Sequence, residues 1–177
     1  SCERVFQPEL ANKPVIVLSN NDGCAIARSN EAKIIGIKMG APLHFLKDVI
    51  KEYPVQIRSA NFTLYGDMSS RFMSIIKRES PNIEVYSIDE SFVQIGNYAA
   101  VSDWALSLKQ TLLKEVGLPA SVGIARTKVL AKLANRLAKK SSGIYVLEEA
   151  NESAILSSTP IGDIWGIGGQ LSASLMR

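Results

Sequence analysis

The stretch Ile83-Glu84-Val85-Tyr86-Ser87-Ile88-Asp89-Glu90-Ser91-Phe92-Val93-Gln94-Ile95 decides how the chain is read. Ile83, Val85, Val93 and Ile95 share one parity, with polar or aromatic residues between them, which is the alternation of a half-buried strand. Asp89 and Glu90 break the pattern. In a straight strand, neighbouring side chains point to opposite faces, so one carboxylate would be driven into the core. A tight turn through Ser87–Glu90 removes the conflict by making two short strands of a hairpin with both carboxylates at its tip. Such a pair is within reach of one hard cation, and Mg²⁺ is commonly held by one or two carboxylates plus substrate phosphates. Taken alone, the same residues are also an ordinary solvated turn, since Asp is a common turn residue.

Outward from the hairpin, regular elements surround it. Asn61–Glu79 has helical spacing at Leu64, Met68, Phe72, Ile75 and Ile76 and stops at Ser80-Pro81. Ser102 is an expected N-cap for a helix through Val116, with Ala105, Leu108 and Leu112 inward and Gly117 closing it. Ala120–Ala125 is an apolar strand, Thr127–Lys140 a helix with Leu130, Leu133, Ala134 and Leu137 inward, and Ile144–Leu147 a last strand. From 61 to 125 the order is helix, strand, strand, helix, strand, an α+β ferredoxin-like arrangement with its first strand missing. Before residue 61 lie smaller elements, expected to form a lobe of their own. They are a helix end at Ser1–Phe6, a strand at Pro14–Leu18 and a turn at Ser19–Gly23. A second strand at Cys24–Arg28, short helices at Asn30–Ile35 and Pro42–Ile50, and a strand at Val55–Arg58 follow.

Composition leaves the class open but narrows it. The 177 residues are 46% hydrophobic and 21% charged, ordinary for a globular protein, and a net charge of +3 is compatible with nucleic acid without demanding it. Two cysteines make no disulfide framework, no spacing suggests zinc, and no apolar run approaches the ~20 residues of a membrane span. A cytoplasmic protein with no membrane partner is the expectation. The chain opens at Ser1 without an initiator Met, which reads as a truncated or processed end. Charge is unevenly distributed. Lys128, Lys132, Asn135 and Lys139 follow spacings of 4, 3 and 4 and form one stripe opposite the leucines of helix 127–140, which holds no acidic residue. A charged stripe is usually a solvated face of mixed sign; a single-sign stripe in a chain with 17 acidic residues elsewhere favours phosphate. His44, the only histidine, lies between Leu43 and Phe45 with no partner for a dyad and reads as structural.

Tyr-Ser-Ile-Asp-Glu-Ser-Phe (86–92) resembles the catalytic hairpin of the Y-family translesion DNA polymerases. Leu-Ser-Asn-Asn-Asp-Gly-Cys (18–24) is similar to the fingers of the UmuC branch, and Ala-Lys-Lys-Ser-Ser-Gly (138–143) to the end of the family's triphosphate-contacting helix. The resemblance implies a polymerase palm over 61–150, fingers over 1–60 and the start of a helical thumb over 151–177. It implies Asp89 and Glu90 as catalytic Mg²⁺ ligands and Lys139 as the contact to the incoming triphosphate. Many members place Tyr and Arg three residues apart on that triphosphate; Asn30 and Lys33 stand there here, and lysine supplies charge without the planar fork of Arg. Ala25, Ile26 and Ala27 would roof the nascent base pair. Ile164-Trp165-Gly166-Ile167-Gly168 resembles a helix-hairpin-helix turn, which makes Gly166 and Gly168, with Lys128 and Lys132, candidate DNA contacts.

The implied partners of the whole protein are primer–template DNA, deoxynucleoside triphosphates, accessory polymerase subunits and a sliding clamp, in DNA repair and the SOS response. The family's third carboxylate lies on a first palm strand upstream of Ser-Cys-Glu (1–3), so the fragment itself is expected not to polymerise. Its open sheet edges make self-association an expectation too. The reading from another class is a non-catalytic nucleic-acid-binding or interaction module on the same fold.

Overall fold

In the computed structural model of the protein, residues 1–96 and 100–177 are described. They form a mixed α+β structure of two compact units, Ser1–Arg71 and Phe72–Arg177.

The first unit is built on a three-stranded sheet. β1 (Val15–Leu18) is central, antiparallel to β2 (Ala25–Arg28) and parallel to β3 (Gln56–Ser59). A strand paired along both edges suits an unbroken apolar run, and all four residues of β1 are buried. Asp22 takes φ +49 in the turn between β1 and β2, a left-handed conformation that Asp tolerates better than most residues. Against the sheet pack α2 (Asn30–Ile34) and α3 (Lys47–Glu52), which close a core of Ile16, Leu18, Ala32, Ile37, Leu46 and Val55. α1 (Cys2–Phe6) precedes the sheet, and the unit ends in the first turns of α4 (Phe62–Glu79). The single helix expected at Pro42–Ile50 is instead a 3₁₀ turn, Leu43–Leu46, running into α3. Leu46, at the junction, is buried, so tertiary packing rather than helical propensity sets the break.

The second unit holds two small sheets. β4 (Ile83–Val85) and β5 (Ser91–Val93) form the antiparallel hairpin, with Ile83 opposite Val93 and Glu84 opposite Phe92. β6 (Val122–Ile124) and β7 (Ile144–Val146) pair in parallel. The strand expected at Ala120–Ala125 is thus three residues long, as are both strands of the hairpin. Among the described residues β5 pairs only with β4 and β6 only with β7, so the two sheets are not joined by hydrogen bonds. α5 (Val101–Val116) covers both: Val101 and Ala105 share a cluster with Ile95 beyond β5 and with Val122, Ile124, Ile144 and Val146. Gly117 ends α5 at φ +75, the left-handed cap its sequence position predicts.

Ser102 is not the N-cap of α5. Ala100 holds that position and has no side chain to make a cap bond; burial of Val101 and Ala105 draws the cap two residues earlier. α6 (Lys128–Ala138) buries Leu130, Leu133, Ala134 and Ala138, with Leu137 only half-buried. Its N-cap Thr127 accepts a hydrogen bond from the Leu130 amide at 3.3 Å. α7 (Glu149–Ser158), the 3₁₀ turn Ile161–Asp163 and α8 (Gly169–Leu175) complete the chain. No helix of the described residues is long and apolar enough to cross a membrane.

Candidate active site at the carboxylate hairpin

The hairpin tip is fixed by its own backbone. The amides of Tyr86 and Ser87 both donate to the Glu90 carbonyl at 3.0 Å, closing a bend over residues 87–89. Ser87 Oγ donates to Asp89 Oδ1 at 2.8 Å, which orients one exposed carboxylate at the tip. Glu90 is half-buried, and its Oε2 accepts from Lys132 Nζ at 2.8 Å. Neither carboxylate is buried against the apolar face.

One face of the hairpin meets α6. Glu84, Tyr86, Glu90 and Phe92 share the parity opposite to Ile83 and Val93. Lys128 and Lys132, one helical turn apart, answer them in two matching rungs. Lys128 pairs with Glu84 and lies 5.4 Å from the Phe92 ring centroid. Lys132 pairs with Glu90 and lies 5.3 Å from the Tyr86 ring and 6.0 Å from the Trp165 ring. Tyr86, Phe92 and Trp165 form an aromatic cluster with centroids 5.4–5.8 Å apart, and Trp165 Nε1 donates to Tyr86 Oη at 3.3 Å. Such geometry favours edge-to-face contact and gives each ammonium an aromatic face.

Beside Glu90 opens a cleft of about 230 Å³, lined by Lys132, Asn135, Arg136, Lys139 and Trp165, with Asp163 at its wall. Arg136 is paired with Asp163. Among the described residues Lys139 carries no ion pair. Asn135 does not belong to an open basic stripe, because its Nδ2 donates to the Ser121 carbonyl at 2.7 Å and fixes α6 to β6. The stripe therefore divides: Lys128 and Lys132 are engaged with the hairpin, and Lys139 stands free at the cleft. Gly166, at φ +92, and Gly168 lie in the turn just before α8.

The other candidate residues lie on the first unit. Asn30 and Lys33 are exposed on α2, with Lys33 Nζ donating to Asn30 Oδ1 at 3.2 Å. Between them Glu31 accepts from Arg4 at 2.8 Å, and the Ser29 hydroxyl and the Arg4 guanidinium hold its carboxyl down at about 2. Ala25 is buried, while Ile26 and Ala27 are exposed. His44 is exposed, its ring centroid 4.1 Å from that of Phe45 and tilted by 47° to it. Both cysteines are free.

Reading the sequence did not anticipate the aromatic cluster or the Arg136–Asp163 pair. The one available signal is that Tyr86 and Phe92, like Glu84 and Glu90, fall on the same parity about the turn. As for a metal, no group of three or more His, Cys, Asp or Glu side chains that could hold one lies among the described residues. Asp89 and Glu90 are two adjacent hard oxygen donors, which suits Mg²⁺ when water or phosphate oxygens supply the rest of its six ligands.

The profile of the impB/mucB/samB family matches residues 1–136. UmuC of Salmonella typhimurium is 42% identical over 99% of this chain and 43% of its own length. MucB of Escherichia coli is 40% identical over the same shares, and DNA polymerase IV of Picrophilus torridus is 35% identical over 98% of this chain and 51% of its own. Among solved structures, an insertion ternary complex of Dbh DNA polymerase superposes with a TM-score of 0.87 at 27% identity, covering 98% of this chain and 53% of that one. The chain thus spans about half the length, or less, of the relatives it matches.

Proposed function

Because the chain belongs to the impB/mucB/samB family, we propose that it is the fingers (1–60), palm (61–150) and start of the thumb (151–177) of a translesion DNA polymerase. In this reading the protein adds deoxynucleotides to a primer opposite damaged template. The observation that carries it is the juxtaposition of Glu90, at the hairpin tip beside Asp89, with a cleft lined by Lys132, Arg136 and Lys139.

Asp89 and Glu90 would hold Mg²⁺, whose chemistry there is to activate the primer 3′-hydroxyl and stabilise the leaving pyrophosphate. The 3′-oxygen forms a bond to the α-phosphorus while the bond from that phosphorus to the bridging oxygen of pyrophosphate breaks. Lys139, free of an ion pair among the described residues, takes the triphosphate; on the first unit, Asn30 and Lys33 are the triphosphate contacts that the family resemblance implies. Lys128, Lys132, Gly166 and Gly168 serve DNA phosphate. The wider reading is of a cytoplasmic SOS-response enzyme working with accessory subunits and a sliding clamp; names such as UmuC and DNA polymerase IV among the relatives support its polymerase part. Among the described residues two carboxylates stand at its centre, one fewer than the family resemblance implies, and in this reading the 177-residue chain by itself does not extend a primer. That same shortage favours, as a second reading, a nucleic-acid-binding module without catalysis.

The test is kinetic and uses the full-length protein. Lys139→Ala raises the KM for deoxynucleotide far more than it weakens DNA binding, and Asp89→Asn or Glu90→Gln abolishes extension while leaving DNA bound. Equal loss of nucleotide and DNA affinity on Lys139→Ala makes Lys139 a general phosphate contact. Extension that survives both carboxylate substitutions refutes the polymerase assignment of the pair.

A further inference from the structure

We infer that Lys132 is a resident cation of the carboxylate pair, neutralising Glu90 while no divalent ion is bound and passing to an anion in the adjoining cleft when one binds. The inference rests on the reading of Asp89 and Glu90 as metal ligands.

Three observations carry it. First, the ammonium lies 2.8 Å from Glu90 Oε2. A Mg²⁺ ion on the same oxygen would sit at about 2.0–2.1 Å, leaving the two cations less than about 5 Å apart. One must leave. Secondly, the lysine has somewhere to go. Its charge is held over the Tyr86 and Trp165 rings, which attract a cation whatever direction the ammonium faces. The flexible four-carbon stem lets it turn from Glu90 towards the cleft that it already lines. Thirdly, the cleft is nearly balanced only because of Glu90. Arg136 is matched by Asp163 and Lys132 by Glu90, and Lys139 is the one cation in excess. Once a metal takes Glu90, the excess becomes two. Cation and anion binding are therefore coupled through one side chain, and the coupling is reciprocal.

Lys128 is the internal control. It makes the neighbouring rung of the same design, over Phe92 and onto Glu84, yet touches neither carboxylate of the tip.

The proposal is tested by binding alone, on the full chain. Mn²⁺ titrated calorimetrically should bind about tenfold tighter to Lys132→Met than to the unsubstituted protein, with Lys132→Gln following it and Lys128→Met changing the affinity far less. In EDTA, inorganic tripolyphosphate should bind several-fold tighter to Glu90→Gln, where Lys132 is released without metal. That gain should vanish in the Glu90→Gln/Lys132→Met double variant. Mn²⁺ affinity that is unchanged or weaker in both Lys132 variants overturns the proposal. So does a tripolyphosphate gain that persists in the double variant, since it then reflects only the lost negative charge. If Mn²⁺ binding depends on Asp89 and Glu90 but not on Lys132, this inference alone fails. If it is indifferent to Asp89→Asn and Glu90→Gln in every background, the metal reading of the pair fails with it.

Discussion

Replacing Gly123 with alanine puts a methyl group inside the backbone of α6. Gly123 is the middle residue of β6, and a Cβ built there would lie 2.0 Å from the Asn135 amide nitrogen, 2.5 Å from its Cα and 2.6 Å from the Ala131 carbonyl oxygen. Those atoms are helix backbone and cannot rotate away. Restoring an ordinary contact of at least 3.4 Å means moving α6 off β6 by about 1.4 Å, the difference between that distance and 2.0 Å. The shift would break the 2.7 Å bond from Asn135 Nδ2 to the Ser121 carbonyl and unseat Leu130, Leu133 and Ala134.

Overpacking of a core typically costs about 1–3 kcal/mol, and a lost hydrogen bond about 0.5–1.5 kcal/mol more. A loss of about 3 kcal/mol or more is therefore expected, against a typical domain stability of ~5–15 kcal/mol. At roughly 2–4 °C per kcal/mol for a chain of this size, the melting temperature should fall by about 6 °C or more. Urea unfolding followed by circular dichroism, with a parallel thermal scan, measures it. Because α6 carries Lys132 and Lys139, whatever fraction stays folded should also lose the 2.8 Å contact to Glu90 and bind tripolyphosphate differently. A Gly123→Ala protein within about 0.5 kcal/mol of the unsubstituted one would refute the close strand–helix contact, and with it the account of what holds α6 in place.

Gly66→Ala should do the opposite. A Cβ at this interior position of α4 meets nothing within 4 Å, so the substitution should stabilise by about 0.5–1 kcal/mol, read as a higher urea midpoint. Glu31, held at about 2 by Ser29 and Arg4, has a lowered folded pKa, so its contribution is present above the ordinary carboxylate range and is lost as pH falls towards 2. Glu31→Gln should flatten that part of the pH–stability curve, and an unchanged slope would refute the role. Tyr65, pushed up to about 12 by burial and by donating to Glu3 at 2.6 Å, contributes below the ordinary tyrosine range and loses that contribution as pH rises through 12. Ultraviolet titration of Tyr65→Phe should lack a step near pH 12. Among the described residues β5 and β6 each pair along one edge, which predicts self-association in light scattering, and a clean folded monomer would refute that.

Local physics wrote much of this fold into the sequence. The period of two through Ile83 and Val93, interrupted by two carboxylates that no buried strand tolerates, determined a hairpin with Asp89 and Glu90 at its tip. The apolar run of β1, the leucines of α6 and the left-handed cap at Gly117 were legible for the same reason: each follows from residues within a few positions of one another. Tertiary structure decided what depends on distant partners. Glu90 meets Lys132 across 42 positions and Trp165 meets Tyr86 across 79, and no local pattern marks such pairs. Asn135 fits the basic stripe by spacing, yet the Ser121 carbonyl just before β6 claims its side chain. Ser102 has the chemistry of a cap, but burial of Val101 moved the cap to Ala100. Gly123 resembles any strand glycine until the backbone of α6 lies against it. Periodicity fixes which face of an element is apolar; which polar groups then meet is set only when the packed faces leave them no other partner.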